Sequence, residues 1–158
     1  VTVAGPLGET VEVDSQVYKN LLGEMQRQGD PFVPVDLRSY SKAFFRIAAS
    51  VKIDPAYKTE EVLSWVRNRV VSSFSFKKRR FGQQVALSEV ISLIKSVPGV
   101  AEVDVSKLYR VSETPGKDLN QRLLASMPVS GQEASKVEGA ELLTIDPLQP
   151  FDFLGVMF

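Results

Sequence analysis

The chain has 158 residues, 44% hydrophobic and 24% charged, with 19 basic and 19 acidic side chains and neither cysteine nor histidine. Without those two residue types there is no thiol nucleophile, no disulfide framework, no Cys/His zinc site and no imidazole base. Oxygen-ligand metal sites, carboxylate chemistry and non-catalytic roles remain, and a neutral chain with no evident catalytic cluster is read first as a binding or structural protein, with no cofactor.

The length suits one domain that buries roughly 70% of the surface of its unfolded chain, with no need of a disulfide or metal staple. The chain begins with Val1 rather than Met, already in a strand-like run, and is expected to be a piece of a longer polypeptide. No run approaches 18 consecutive apolar residues and no basic segment precedes an apolar one at the start, so neither a membrane span nor a signal peptide is expected, and the cytoplasm is the default site of synthesis. The zero net charge is uneven: residues 1–32 carry net −3, residues 33–81 net +7 and residues 82–158 net −4. A basic centre between acidic flanks suits nucleic acid, or charge pairing with the flanks and an acidic partner surface.

In chain order, Val1-Thr2-Val3-Ala4 predicts a short strand, and Gly5-Pro6-Leu7-Gly8 a turn. Asp14 or Ser15 caps a helix in which Tyr18, Leu21, Leu22 and Met25 recur at helical spacing, and Gly29 with Asp30-Pro31 ends it. Val33, Val35 and Leu37 alternate with Pro34, Asp36 and Arg38, which predicts a half-buried strand. The clearest strand follows, with Phe45, Ile47, Ala49, Val51 and Ile53 on the core face and Phe44, Arg46, Ala48, Ser50 and Lys52 on the other. Thr59 is expected to cap a second helix that runs to about Phe74, with Glu60 and Glu61 in its favoured first turn and Val62, Leu63, Trp65, Val66 and Val70 inward. Lys77-Lys78-Arg79-Arg80 lies beyond its C-terminal end, and Gly82 breaks the chain. Ser88 is expected to cap a third helix with an apolar stripe of Leu87, Val90, Ile91, Ile94 and Val97, closed by Pro98-Gly99. Ala101, Val103 and Val105 then alternate with Glu102 and Asp104 as a core strand that Leu108 and Tyr109 extend.

Residues 111–139 have no stable period beyond one short amphipathic piece, Asp118 to Ala125, and are expected to form a long irregular loop. Glu141 to Ile145 predicts a strand ended by Asp146-Pro147, and the tail 151–158 is heavily apolar. The order strand, helix, strand, strand, helix with a short extra helix, strand matches the split βαβ arrangement of a ferredoxin-like α+β sandwich, helices on one sheet face. The expected organisation is a ferredoxin-like body over 1–110, the loop 111–139, and a terminal strand and tail over 140–158 belonging to the same domain.

Gly82-Gln83-Gln84-Val85-Ala86-Leu87-Ser88-Glu89-Val90-Ile91, continuing through Ile94 to Val97-Pro98-Gly99-Val100, resembles the C-terminal part of baseplate J-like proteins, wedge components of contractile phage tails and related injection systems. Val3-Ala4-Gly5-Pro6, Val33-Pro34-Val35-Asp36 and Glu141-Leu142-Leu143-Thr144-Ile145-Asp146-Pro147 look like the baseplate assembly subgroup of that family. The resemblance covers most of 1–110 and returns at 140–147; the segment 111–139 and the last residues depart from it. It implies a non-catalytic structural role: self-association, contact with neighbouring wedge and hub proteins, assembly in a bacterial or archaeal cytoplasm, and residence in the baseplate of a virion or tail-like particle.

The family offers no catalytic residues to carry over, so the expected contact groups come from the residues themselves. Phe44 and Arg46 stand on the outer strand face. Lys77, Lys78, Arg79 and Arg80 interleave with Phe74, Phe76 and Phe81, the composition of a nucleic-acid surface, though a solvated helix end whose phenylalanines dip into the core gives the same pattern. The tail places Phe151, Phe153, Leu154 and Phe158 together, either folded back as an extra strand or docked on a neighbour. An RNA-recognition motif is disfavoured: Lys42-Ala43-Phe44-Phe45-Arg46-Ile47 lacks the signature glycine, and the first strand has no stacking aromatic. The carboxylates Glu60 and Glu61 suit a helix N-terminus, and Glu102 and Asp104 the polar face of a strand, better than an acid/base pair. A nucleic-acid-binding module using the basic run is the alternative function, and a small-molecule-sensing regulatory domain a third.

Overall fold

Apolar and polar residues alternate from Ser41 to Ile53, and this segment forms the longest strand, with every other element arranged about it. A computed structural model describes residues 1–30, 32–128 and 137–157. In chain order the elements are β1 (Thr2–Val3), α1 (Gln16–Gln28), β2 (Arg38–Ser39), β3 (Ser41–Ile53), α2 (Thr59–Ser73), a 3₁₀ turn (Phe76–Lys78), β4 (Val85–Ala86), α3 (Leu87–Lys95), β5 (Val100–Arg110), β6 (Arg122–Leu123), β7 (Glu141–Ile145) and β8 (Phe151–Val156).

β3 is the middle lane of the main sheet. On one side it pairs antiparallel with β5, from Phe45↔Arg110 to Ile53↔Val100. Along its other side run two strands in series: β7 pairs parallel with Ser41–Phe45, then β8 parallel with Ile47–Val51. Pro147 and Pro150 lie between them and have no N–H to give a ladder, so the chain loops out after Ile145 and re-enters at Phe151. Helices α2 and α3 cover one face. Phe45, Ile47, Ala49 and Val51 are fully buried under Val62, Val66 and Val70 of α2 and Leu87, Val90 and Ile94 of α3. Phe74, just beyond α2, meets Phe45 edge to face with ring centroids 5.2 Å apart.

The class is α+β, as the alternating patterns predict. The strand that the ferredoxin-like order would place first in the sheet lies elsewhere, because β1 pairs parallel with β2 as a separate two-stranded ribbon. The places beside β3 are taken by β5, β7 and β8, the last two from the C-terminal third. Of the region predicted as a strand at 33–38 only Arg38 pairs with another strand, joined by Ser39 of the expected break; Pro34 has no N–H, and Val33 stays exposed. Trp65, expected inward, is 41% exposed and meets Tyr57 edge to face. Ala101 is also exposed, because β5 slips its register there, passing from Lys52↔Glu102 to Ile53↔Val100. Ser15 caps α1 as expected, its hydroxyl accepting from the Tyr18 N–H at 3.2 Å. Thr59 and Ser88 are the first and second residues of their helices rather than caps, and neither N-cap residue, Lys58 or Ala86, makes a side-chain capping bond.

Candidate functional site

The basic run divides between interior and surface. Arg79 is only 8% exposed. Its guanidinium donates to the carbonyls of Leu143 at 3.3 Å, Gln83 at 3.0 Å and Gln84 at 2.6 Å, and pairs with Glu89 at 3.1 Å. It also lies over the Phe74 ring, 5.4 Å from the centroid. With the bonds from the Ile145 N–H to the Phe74 carbonyl and from the Gly82 N–H to the Glu141 carbonyl, residues 74–82 satisfy the outer edge of β7 in place of another strand. Burial pulls the Arg79 pKa below its ordinary value against the opposing pull of Glu89, yet arginine keeps its proton in this range. Arg79 is therefore not a surface contact residue. Lys77, Lys78 and Arg80 are exposed, and none of their side chains forms an ion pair among the described residues.

The turn that carries Lys77 and Lys78 places Phe76 in the wall of a cavity of about 300 Å³, open on one side. Its floor is the helix-free face of the sheet, from Lys42 and Phe44 of β3 and Leu142 and Thr144 of β7, which face each other in register. Val71 and Ser75 complete one side, Leu7 and Gly8 of the N-terminal turn the other. Gly8 has φ of +81°, and a Cβ there would stand 3.0 Å from the Phe76 ring, so glycine suits both the backbone and the fit of this wall. The Tyr40 hydroxyl donates to the Gly8 carbonyl and holds the turn in place; burial, then Glu9, pushes its pKa up. Phe44 and Phe76, distant in sequence, thus meet in one cavity, and Lys77 and Lys78 follow Phe76 in the same turn.

Further along the same face, Arg46 pairs with Asp146 at 2.8 Å and with Asp152 at 3.8 Å, and Asp152 also accepts from the Tyr109 hydroxyl. The hydrogen bond and charge of Asp146 raise the Arg46 pKa. Burial pushes the Asp146 carboxyl up, but Arg46 and the N–H groups of Leu148 and Gln149 outweigh it and hold the pKa below the ordinary value. The tail is β8: Phe151 is buried in the core and so is not available as a docking group, whereas Leu154 is half-buried and packs against that core. Phe153 points the other way and is 57% exposed, its ring against Gly155, where a Cβ would clash at 2.3 Å. Ala48 is its cross-strand partner, and Ser50 faces Gly155. The result is a set of small residues partly covered by one exposed aromatic ring, on the same face as the Arg46 cluster. Phe158 and residues 129–136 of the predicted loop lie outside the described residues.

Sequence reasoning had no access to the cavity, because Thr144 and Leu142 read simply as strand residues and only the parallel pairing with β3 sets them beside Phe44 and Lys42. Among the described residues, no three His, Cys, Asp or Glu side chains cluster as a metal site, and no helix is long and apolar enough to cross a membrane. No protein-family model matches the chain, and no curated protein matches it.

Proposed function

We propose that the chain is a structural component of a contractile-tail or related injection-apparatus baseplate wedge, acting through protein contacts with copies of itself and with neighbouring wedge and hub proteins. The identity of the assembly rests on the resemblance centred on Gly82–Val100. The mode of action rests on one observation: an exposed aromatic, Phe153, stands on the open sheet face that also carries the Arg46–Asp146–Asp152 ion pairs, the pairing of an apolar anchor with polar neighbours that protein interfaces use. The ferredoxin-like comparison belongs to this reading as a statement of architecture, helices on one face of a sheet and the other left for partners. The role is non-catalytic: Asp146 and Glu141 are engaged by Arg46 and Arg110, and Glu60 and Glu61 occupy the first turn of α2. Its place is the particle baseplate, after assembly in a bacterial or archaeal cytoplasm.

The test mixes the purified chain with the structural proteins encoded beside its gene and reads complex formation by size-exclusion chromatography with light scattering. Association that Phe153→Asp abolishes, with the melting temperature unchanged, is the expected result. No association with any of them, together with salt-sensitive binding of an oligonucleotide through Lys77, Lys78 and Arg80, overturns the reading in favour of a nucleic-acid module.

A further inference from the structure

We infer that the cavity between β3, β7 and the 3₁₀ turn is a docking site for an acidic segment of a partner protein that buries one apolar side chain in it. This rests on the reading of the chain as an assembly component, but it uses a different part of the sheet face from Phe153. Three features of the site define the occupant. The walls are apolar, with Phe44, Phe76 and Leu142 turned into about 300 Å³ of open space, a volume at the lower end of ligand pockets and suited to a single anchoring side chain.

Among the described residues, two polar groups at the cavity have no acceptor or counter-ion. The Lys42 ammonium forms no ion pair among the described residues and rests 6.0 Å above the Tyr40 ring, and the Thr144 hydroxyl has no hydrogen-bond partner among them. Tyr40 is already committed to Gly8, so Lys42 and Thr144 are the groups left to meet a ligand. Lys77 and Lys78, the two residues that follow Phe76 in the 3₁₀ turn of the wall, are exposed and form no ion pair among the described residues, with Glu9, close enough to raise the Tyr40 pKa, as an acid on the facing turn.

A small carboxylate that filled the cavity would leave those outer cations untouched, whereas a chain crossing its mouth meets them with successive acidic residues. A nucleic acid would need stacking surfaces, but Phe44 and Phe76 are half-buried in the walls. Charge complementarity and one apolar socket together describe an acidic peptide with an aromatic or branched anchor.

The test uses the full chain and a fluorescein-labelled decapeptide of Asp and Glu with one central Phe, read by anisotropy. Saturable binding is expected, about tenfold weaker for Thr144→Val and for Lys42→Gln, and weaker again for the peptide with Phe replaced by Ala. The near-isosteric Thr144→Val and the exposed Lys42→Gln are expected to retain the wild-type melting temperature. Absence of binding overturns the inference, as does binding that ignores the Phe or both cavity variants. Full competition by 3-phenylpropanoate at equal affinity reassigns the cavity to a small carboxylate, and preference for a single-stranded oligonucleotide reassigns the cations to nucleic acid; either result also overturns it. A chain that binds the peptide at the cavity yet joins none of its neighbours keeps the docking site and loses the wedge assignment.

Discussion

Arg79 shows how one side chain changes role once its surroundings are known. In sequence it belongs to a run of four cations; in the fold it supplies donors to three carbonyls beside the edge of β7 and in the turn after it. Arg79→Met keeps much of the volume and removes every donor, and is expected to destabilise the chain by about 3 kcal/mol or more in urea denaturation. Arg80→Met, on the exposed neighbour, is expected to stay within about 0.5 kcal/mol. Asp146 and Glu141 belong to the same scale. At Glu141 burial acts upward, yet Arg110 and Ser126 outweigh it and leave the pKa lowered, as Arg46 and two N–H groups do at Asp146. A carboxyl with a depressed folded-state pKa contributes stability fully above its unfolded value, near 4, and loses it as pH falls through the folded one. Denaturant midpoints are therefore expected to fall below the ordinary carboxyl range, and Asp146→Asn with Glu141→Gln to lower the neutral midpoint while flattening that acid limb.

At the scale of elements, β8 decides the fate of the apolar tail. Phe151 belongs to the core and Phe153 to the open face, because the register against β3 slips by one residue between Ile47↔Phe151 and Ala48↔Phe153 and so moves Phe153 off the face that Phe151 occupies. Phe151→Ala is expected to cost about 3–5 kcal/mol and Phe153→Ala almost nothing in folding stability. Deleting 151–158 should lower the melting temperature sharply, since β3 would lose the strand that pairs with Ile47–Val51 on the side away from β5, and the core would lose Phe151. A truncated chain that melts like the intact one would show that β8 is not part of the folded body. The Pro98-Gly99 stop is a second test: Gly99 has φ of +85°, and a Cβ there would lie 2.8 Å from Tyr57 and 2.9 Å from Val62. Gly99→Ala is expected to destabilise measurably through both backbone and packing.

The legibility of these elements followed their period. β3, α2 and α3 carry their core residues at regular spacing, and Phe45, Ile47, Val62, Val66, Val70, Val90 and Ile94 are where the pattern put them. Trp65 and Ala101 went astray because each depends on a neighbour outside its own element, Tyr57 in one case and the slipped register against β3 in the other. Val33 to Leu37 alternates like a strand, but alternation does not supply a partner, and only Arg38–Ser39 finds one in β1.

For the molecule as a whole, the basic centre is partly neutralised at home. Arg38, Arg46, Lys52, Lys58 and Arg79 each pair with a carboxylate, whereas Lys42, Lys77, Lys78 and Arg80 form no ion pairs among the described residues. Most of the pairs are at least partly exposed and contribute little to stability. Raising salt from about 0.05 to 0.5 M is accordingly expected to shift the melting temperature by no more than a few degrees, while binding of an acidic partner at the cavity weakens steeply. Calorimetry and anisotropy over the same salt series separate the two.

Composition by itself determined the absence of thiol and imidazole chemistry, and local periodicity determined the main helices, the central strand and the α+β class, because both depend only on residue types and their spacing. The asymmetry hidden in the zero net charge was also present in the sequence. Which cations are paired was decided by the tertiary structure alone, since it depends on what lies across from each: Arg79 found carbonyls, and Lys42 found no carboxylate among the described residues. The same holds for the lanes beside β3. Hydrogen bonds between strands distant in the chain are long-range choices, and they set Thr144 beside Phe44 and put Phe151 of the apolar tail into the core.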